Sequence, residues 1–302
     1  MRLAVIADVH GNLPALEAVL DDVSRQHVDR LVVNGDLANR GPDTVAVFER
    51  TAAALPGDAT LGNHDDLMLM WFGRRGDRSE PWFDDPFWGT VGWSAVRLEA
   101  AGFIDAIERL PMTLTVHEEG TPKLLISHGS PRHYREGYGA ELSAETISEI
   151  TEAHPADVLV GSHTHRPFLT SWGRFTVINT GAVGAPFNGD PRAHYLILEL
   201  AGGEWVPEFR RVPYDVGAAL ERFESSGMLA AGGLSAHIFR EEVRYARSFL
   251  VPFLMWCETD GRERSEADWE EFRERFATRF RPPPRYEEVS SSRLPEAAGE
   301  PR

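Results

Sequence analysis

Five short polar clusters, each placed at or near the end of an apolar run, carry the residues of this chain that could do chemistry. In chain order they are Asp8-Val9-His10, Gly35-Asp36, Gly62-Asn63-His64-Asp65, Ser127-His128-Gly129 and Gly161-Ser162-His163-Thr164-His165. With Asp65 set aside, they offer two carboxylates, one amide and five imidazoles. Borderline divalent metals accept imidazole nitrogen and carboxylate oxygen together, whereas magnesium and calcium prefer oxygen alone. The set therefore predicts a site for two adjacent transition-metal ions and one general acid.

The spacing within the clusters supports a shared site. Residues two apart in a strand project to the same side, so Asp8 and His10 can point into one site from a strand end. His163 and His165 have the same spacing. The carboxylate of Asp36 could bridge two ions, which in such sites lie about 3.5–4 Å apart. Two dications outweigh two carboxylates, so the pocket would attract phosphate although the whole chain carries a net charge of −16.

The ordered set D-x-H, G-D, G-N-H-D, H-G and G-x-H-x-H resembles the motifs of the calcineurin-like metallophosphoesterase superfamily. Its first motif, Asp8-Val9-His10-Gly11-Asn12, is most similar to the D-x-H-G-N motif of the small bacterial phosphoesterases. Each motif alone is weak, but five in order, after strand-like runs, form a specific signal. The resemblance spans roughly residues 1–212 and implies an α/β fold, a two-sheet sandwich flanked by helices in four αββα layers.

The resemblance also implies roles for individual residues. The metal ligands would be Asp8, His10 and His165 for the first ion, Asn63, His128 and His163 for the second, and Asp36 as the bridge. His64 would protonate the leaving oxygen or steady the transition state, a role that suits an imidazole. The nucleophile would be a metal-bridging hydroxide that attacks in line. We expect two divalent ions, manganese first, with iron, cobalt, zinc and nickel as alternatives.

Three further residues, Arg40, Asn39 and Asn12, are candidates for substrate contact. Residues 35–41 resemble the G-D-x-V-D-R-G motif of the Ser/Thr protein phosphatases, whose arginine contacts phosphate through its forked donors. Asn39 stands where that branch has an aspartate, so it could accept a hydrogen bond but could not stabilise an imidazolium by charge. A purely structural interpretation stays open, because Asn-Arg-Gly-Pro-Asp suits a turn and Asn12 could cap a helix.

Three functions are compatible with these motifs. The leading hypothesis is a metal-dependent phosphodiesterase for nucleotide-type substrates, including oligonucleotide ends. The first alternative is a phosphomonoesterase or protein phosphatase of the Ser/Thr type, which Arg40 favours and Asn39 disfavours. The second alternative is a non-catalytic scaffold with the same fold, which is disfavoured because every ligand position is filled.

Composition narrows the remaining choices. A chain of 302 residues can form one large domain or one domain with an appendage. The single cysteine excludes an intrachain disulfide framework, and no apolar run approaches the length of a membrane-spanning helix. We therefore expect cytoplasmic residence and no membrane partner. The negative charge argues against tight non-specific binding to nucleic acid, while a phosphate-ester substrate could still reach a cationic pocket.

Strand and helix signals alternate along the first two thirds of the chain, as in α/β folds. Strands are predicted at 2–7, 31–33, 59–61, 113–117, 124–127, 158–160, 175–178, 195–200 and 204–212. Helices are predicted at 13–26, 44–55, 66–72 and 91–108, the last with a break at Gly102. Residues at the carboxyl ends of strands are the expected place for a site in an open α/β sheet.

Two segments fall outside this pattern. Residues 213–280 predict a helical C-terminal extension to a catalytic domain at 1–212, with helices at 218–223, 238–256 and 265–280. That extension could pack on the domain or form a homodimer. Residues 281–302 have the composition of a disordered tail. The tryptophan-rich stretch 71–93 could close over ligand or form a satellite apolar cluster, and we favour the cluster.

Overall fold

Ten strands form two five-stranded sheets in the residues that the computed structural model describes, which are 1–55, 57–76, 83–140 and 142–283. In chain order the strands are β1 (Arg2–Ile6), β2 (Arg30–Asn34), β3 (Ala59–Thr60), β4 (Thr113–Val116), β5 (Leu124–Ser127), β6 (Val158–Gly161), β7 (Phe168–Trp172), β8 (Phe175–Asn179), β9 (Ala193–Ala201) and β10 (Glu204–Val212). The first sheet has the order β10-β9-β1-β2-β3, and the second has the order β4-β5-β6-β8-β7. Both sheets are mixed. In the first sheet β1, β2 and β3 are parallel, β9 is antiparallel to β1, and the edge strand β10 is antiparallel to β9. In the second sheet β5, β6 and β8 are parallel, and the edge strands β4 and β7 are antiparallel to their neighbours.

The strand β1 shows how the two sheets come together. Leu3 and Val5 belong to the apolar cluster between the sheets, together with side chains of β5 and β6. Ala4 and Ile6 belong to the larger cluster on the helical side of the first sheet. Successive strand residues point to opposite faces, so a strand with an apolar layer on each side reads as a continuous apolar run. The run before Asp8 is therefore buried on both faces.

Helices cover the outer faces of both sheets. In chain order they are α1 (Leu13–Ser24), α2 (Thr44–Thr51), α3 (Asn63–Trp71), α4 (Gly89–Ala100), α5 (Ile104–Glu108), α6 (Ala144–Ala153), α7 (Val216–Ser225), α8 (Met228–Ala231), α9 (Gly233–Tyr245), α10 (Leu250–Asp260) and α11 (Glu266–Arg275). Ile147 and Ile150 of α6 pack on the second sheet. The predicted α/β sandwich in four layers is confirmed. Throughout the described part of the chain, no helix has the length and apolarity needed to cross a membrane.

Five of these helices, α7 to α11, follow β10 and form the C-terminal part of the molecule. They pack on the helices over the first sheet, because Phe239 and Phe253 belong to the same buried cluster as Phe87 and Leu98. The rings of Phe87 and Phe253 are stacked, with centroids 6.3 Å apart. The division of the chain at residues 212 and 280 stays a prediction. Of the tail predicted from residue 281, residues 284–302 lie outside the described residues.

Some element boundaries differ from the predicted ones. The single helix predicted at 238–256 is wrong: α9 ends at Tyr245, the next residue, Ala246, has a left-handed φ of 50°, and α10 follows as a separate helix. The strand β7 was not predicted, because its residues alternate between half-buried and exposed at a sheet edge. The break at Gly102, with φ of 79°, separates α4 from α5 as predicted.

The tryptophan-rich stretch is described only in part, since residues 77–82 lie outside the described residues. In the remainder, Phe83, Phe87 and Trp93 are buried. The ring of Trp71 lies 5.9 Å from that of Phe83 in an edge-on arrangement. This described part agrees with the interpretation as a packed apolar cluster.

A buried carboxylate joins the C-terminal helices to the loop after β2. One oxygen of Glu242, on α9, accepts hydrogen bonds from the backbone N–H groups of Phe249 and Leu250, at 2.7 and 2.9 Å. Its other oxygen forms an ion pair with the Arg40 guanidinium. Both side chains of the pair are at least nine-tenths buried. Glu242 therefore fixes the start of α10 and the position of Arg40 at the same time.

We expect Glu242→Ala to lower the free energy of unfolding by about 2–4 kcal/mol, because it leaves the buried Arg40 charge and two backbone N–H groups without acceptors. Denaturant unfolding monitored by circular dichroism measures this change. Glu224→Ala is the matched control, since Glu224 pairs with Arg240 at the surface and should contribute less than about 1 kcal/mol. Equal losses in the two variants would contradict an anchoring role for Glu242.

Candidate metal centre

All five polar clusters meet at one end of the sandwich. Asp8, Asp36 and Asn63 follow the carboxyl ends of β1, β2 and β3, while His128 and His163 follow β5 and β6. Parallel strands present their carboxyl ends at one edge of a sheet, and the two sheets turn these edges toward each other. The topology thus brings together residues far apart in the chain, such as His10 and His165, which are 155 positions apart.

The side chains converge because the backbone bends sharply after the strands. The expectation that Asp8 with His10, and His163 with His165, point the same way through alternation along a strand is wrong. Seven of the ten non-glycine residues with positive φ in the described residues lie in or beside the motifs: Asp8, His10, Asp36, Asn39, Arg40, His163 and His165, with φ between 48° and 66°. This left-handed region is unfavourable for L-residues and is retained where surrounding contacts enforce it. Here the loops hold one another, for example through the His10 N–H donating to the Asp36 carbonyl at 3.0 Å.

The nitrogen and oxygen atoms at the centre lie within a few ångströms of one another. The Asp8 carboxylate lies 3.4 Å from His165 Nε2, and the Asp36 carboxylate lies 3.3 Å from His128 Nε2 and 3.6 Å from His10 Nε2. Three overlapping groups have all their ligand atoms within 4.8 Å: Asp8, His10 and His165; Asp8, Asp36 and His128; and His10, Asp36 and His64. The first two groups share Asp8, and the last two share Asp36.

Backbone carbonyls orient three of the imidazoles. The Nδ1 atoms of His10, His128 and His165 face the carbonyl oxygens of Ala38, Asn34 and Ala185, at 3.3, 2.9 and 2.6 Å. A carbonyl only accepts, so we assign the ring proton to Nδ1 in each case. Each Nε2 then directs its lone pair into the cluster. This arrangement is typical of metal-binding histidines, whose second nitrogen is held by an outer hydrogen bond.

The residues present fit a bound cation. One oxygen of Asp8 accepts the His163 N–H at 3.2 Å, and one oxygen of Asp36 accepts the His64 N–H at 2.8 Å. Within the described residues, the other oxygen of each carboxylate and the Nε2 atom of His128 are buried without a hydrogen-bond partner. Buried acceptors without partners are rare and costly, and these three face one another. A divalent cation between them would satisfy all three.

Burial also sets the protonation of the centre. It raises the pKa of the Asp8 carboxyl to about 8 and lowers the pKa values of His10 and His165 well below the usual value. For His128, burial lowers the pKa, but the adjacent Asp36 carboxylate outweighs it and raises the pKa to about 10. Neutral imidazole is the form that binds metal, and cations would replace the proton that the carboxylates otherwise attract.

Asn39 orients His64, but by a hydrogen bond opposite in direction to the expected one. The Asn39 Oδ1 atom accepts the backbone N–H of Arg40 at 2.8 Å, so its Nδ2 amide group is the part that faces His64 Nδ1, at 3.0 Å. The amide donates, and His64 Nδ1 must accept. The proton of the neutral ring is then on Nε2, and burial favours the neutral ring by lowering the pKa of His64. An N–H donor is thus available beside the centre.

Arg40 and Asn12 differ in how far they match their predicted roles. Arg40 lines the cleft beside the centre, but its charge is matched by Glu242 and its guanidinium lies 4.4 Å from the Phe239 ring centroid. The expected substrate contact of Asn12 is not supported. Its Oδ1 atom caps α1 by accepting the Ala15 N–H, and its Nδ2 atom donates to the Gly184 carbonyl at 2.8 Å. Both polar atoms of the side chain thus have partners inside the fold, which agrees with the cap interpretation.

Asp65, which the sequence argument set aside, clamps two ligand loops. Its carboxylate accepts the backbone N–H groups of Asp36, Leu37, Ala38 and Gly62, at distances between 2.7 and 3.2 Å. Burial and the neighbouring Asp36 carboxylate raise the pKa of Asp65 to about 7, while the N–H groups act in the opposite direction. Gly62 allows this close approach, since a Cβ atom there would lie 2.1 Å from Asp36 Oδ1. The sequence did contain a signal for this role, because Asp65 is the fourth residue of the Gly-Asn-His-Asp motif.

A cleft of about 640 Å³ opens beside the centre. Its lining includes Asp36, Asn63, His64, His163 and His165. Such a volume accommodates a ligand of nucleotide size. The predicted catalytic residue and several predicted ligands are therefore accessible from one space.

The fold and the centre define a metallophosphoesterase. The chain belongs to the calcineurin-like phosphoesterase superfamily, whose domain model matches residues 1–203. It is similar to phosphodiesterase YfcE of Escherichia coli strain K12, with 27% identity over 210 residues that cover 65% of this chain and 87% of the relative. It is also 28% identical over 172 residues to a symmetrical bis(5′-nucleosyl)-tetraphosphatase of Chromohalobacter salexigens, which covers 55% of this chain and 59% of the relative.

A solved structure gives the same assignment. The crystal structure of a metallophosphoesterase from Sphaerobacter thermophilus matches with a TM-score of 0.63 and 26% identity. The match covers 82% of this chain and all of that one. The family model ends at residue 203, so the helices α7 to α11 lie beyond it.

We expect Asp65→Asn to weaken metal binding about 10- to 100-fold, because an amide cannot accept from all four backbone N–H groups that fix Asp36 and Gly62. Titration of metal-stripped protein with Mn²⁺, followed by isothermal calorimetry, measures the affinity. Asp66→Asn is the matched control, since Asp66 is buried next in sequence, but its carboxylate accepts from the Tyr134 hydroxyl and not from the four N–H groups that Asp65 binds. Unchanged affinity in Asp65→Asn, or an equal loss in both variants, would contradict the clamp.

Proposed function

We propose that this protein is a metal-dependent phosphodiesterase that acts on nucleotide-type substrates. The observation that carries the proposal is the set of buried, unpartnered acceptors of Asp8, Asp36 and His128 among the described residues, which lies beside an imidazole oriented to donate a hydrogen bond. The names of two relatives, a phosphodiesterase and a nucleosyl tetraphosphatase, support this chemistry. Both names describe hydrolysis of a phosphate that carries two substituents.

The proposed centre holds two divalent transition-metal ions, manganese by preference. In this proposal the ligands of one ion are Asp8, His10 and His165, those of the other are Asn63, His128 and His163, and Asp36 serves both. Bound dications would supply Lewis-acid polarisation of the phosphate and lower the pKa of water. The chain itself supplies the buried carboxylates, the neutral imidazoles and the rigid loops that keep them in place.

His64 is the proposed general acid. The donated hydrogen bond from Asn39 leaves the proton of His64 on Nε2, on the ring edge away from Asn39. In this neutral form the ring can donate a hydrogen bond to the leaving oxygen of an ester and stabilise the charge that develops there, whereas full transfer of a proton requires a ring that has first taken up a second one. The backbone of His64 is held by Asp36 and its ring lies edge-on to His10, with centroids 4.9 Å apart. The ring is therefore placed next to the metal ligands.

The alternative of a Ser/Thr-type phosphatase is less well supported. That alternative depended on Arg40 as a ligand for the phosphate. However, the positive charge of Arg40 is already matched by Glu242, and its guanidinium lies over the Phe239 ring. Asn39 also donates to the catalytic histidine, where a carboxylate would accept from it. These two contacts favour a diester substrate over a dianionic monoester.

The primary test compares bis(p-nitrophenyl) phosphate with p-nitrophenyl phosphate as substrates of metal-stripped protein, with Mn, Fe, Co, Ni, Zn or Mg added in turn. We expect hydrolysis only with added metal, fastest with Mn²⁺, and a higher kcat/KM for the diester. A preference for the monoester would overturn the diesterase assignment. Absence of activity with any metal, in protein that binds the metal, would favour a non-catalytic scaffold.

We expect His64→Ala to lower kcat for the diester by about 10²- to 10⁴-fold with unchanged Mn²⁺ content, because it removes the proton donor but no proposed ligand. Steady-state kinetics and elemental analysis of the same samples measure both quantities. His237→Ala is the control, since His237 is an exposed histidine on α9. Lost metal in His64→Ala would instead make His64 a ligand, as the group of His10, Asp36 and His64 permits.

A further inference from the structure

The outer side of the cleft is built by helices that lie beyond the family domain. Phe239 on α9 and the residues Ser248, Leu250 and Val251 at the start of α10 line the same space as the metal centre. The family model ends at residue 203. This chain therefore completes its cleft with a segment outside the part that carries the catalytic motifs.

This wall is apolar and in part uncovered. Phe239 and Leu250 are nearly buried, while Val251 is 56% exposed within the cleft. Trp88 and Phe187 line the cleft as well and add aromatic surface. A concave surface of aromatic and aliphatic side chains next to polar groups is the usual setting for a ring-bearing ligand.

The wall also has a fixed position relative to the proposed general acid. Glu242 accepts the N–H groups of Phe249 and Leu250 and forms an ion pair with Arg40. The Arg40 N–H donates to Asn39, whose amide donates to His64. A continuous chain of hydrogen bonds thus connects the start of α10 to the catalytic imidazole, so a ring on the wall would have a defined distance from the reacting phosphate.

Positive charge at the same cleft indicates an anionic ligand. Arg135 and Arg166 line it and form no ion pair within the described part of the chain, although Arg166 donates to the Phe187 carbonyl. A third arginine, Arg264, is matched by Asp85 at 2.8 Å. In a chain with a net charge of −16, two unpaired arginines beside an apolar wall suit a molecule that joins phosphate to a ring.

We propose that the C-terminal helices form a nucleoside subsite, in which Phe239, Leu250 and Val251 take the base of the substrate while its phosphate lies at the metal centre. This proposal rests on the proposed phosphodiesterase function. It adds that the base of the substrate is the group that the cleft recognises. The subsite belongs to α9 and α10, so it can be altered without touching any proposed metal ligand.

The test uses two chromogenic diesters with the same leaving group, thymidine 5′-(p-nitrophenyl phosphate) and methyl p-nitrophenyl phosphate. Val251→Glu puts a charge on the wall, and Met255→Glu is the matched control. Met255 lies one turn further along α10, is 62% exposed and does not line the cleft. Both positions are open to solvent, so both variants should fold, and thermal unfolding checks this. Val251→Ser provides a milder change at the same position.

We expect wild-type protein to prefer the thymidine ester and Val251→Glu to reduce that preference about tenfold through KM, while Met255→Glu retains it. Hydrolysis of the methyl ester should stay within roughly twofold of wild type in both variants. No preference in the wild type, or an equal loss on both esters, would overturn the subsite.

Failure of the proposed function would look different, because wild-type protein would then cleave neither ester. In that event calorimetric binding of thymidine 5′-monophosphate to Mn²⁺-loaded protein still tests the wall, with inorganic phosphate as the reference ligand. The subsite predicts tighter binding of the nucleotide, weakened by Val251→Glu and unaffected by Met255→Glu. Equal binding of nucleotide and phosphate would overturn it.

Discussion

The rest of the structure depends on one electrostatic constraint, the concentration of buried acceptors at the meeting point of two sheets. One oxygen of Asp8, one oxygen of Asp36 and the Nε2 atom of His128 face one another without hydrogen-bond donors among the described residues. Acceptors in that position require positive charge. Three features of the surrounding chain hold them there. Backbone carbonyls accept hydrogen bonds from the Nδ1 atoms of the imidazoles, and the ligand loops are sharply bent. The Asp65 carboxylate accepts four backbone N–H groups of two of these loops.

A second layer of polar contacts joins this centre to the C-terminal helices. Glu242 matches the charge of Arg40, Arg40 donates to Asn39, and Asn39 fixes the tautomer of His64. Each contact satisfies a buried group that would otherwise be costly, so stability and catalytic geometry depend on the same hydrogen bonds. Asn39 sets the tautomer of the imidazole without adding another buried negative charge.

The sequence allowed the ligand types, their order and most strands of the sandwich to be predicted, because these depend on residue chemistry and on short-range apolar patterns. The direction of the Asn39 hydrogen bond could not be predicted, since it follows from an Arg40 N–H that only the folded loop presents. The clamp by Asp65 depends on contacts about 30 residues apart. The left-handed cap of α9, Ala246, is not the glycine that usually marks such a cap, and the role of Asn12 was decided by tertiary packing around Gly184.

The position of the cleft wall has a consequence for how such a protein can diversify. The residues proposed for chemistry lie in loops that follow the strands or, for Asn63 and His64, at the start of α3, while Phe239, Leu250 and Val251 lie on helices beyond residue 203. Under the proposed function, substitutions at these wall positions change the shape of the ligand that fits and leave the buried charges of the centre in place. Exchange or redesign of α9 and α10 is therefore a route to new substrates on an unaltered catalytic frame, provided that a carboxylate remains at position 242 to hold Arg40.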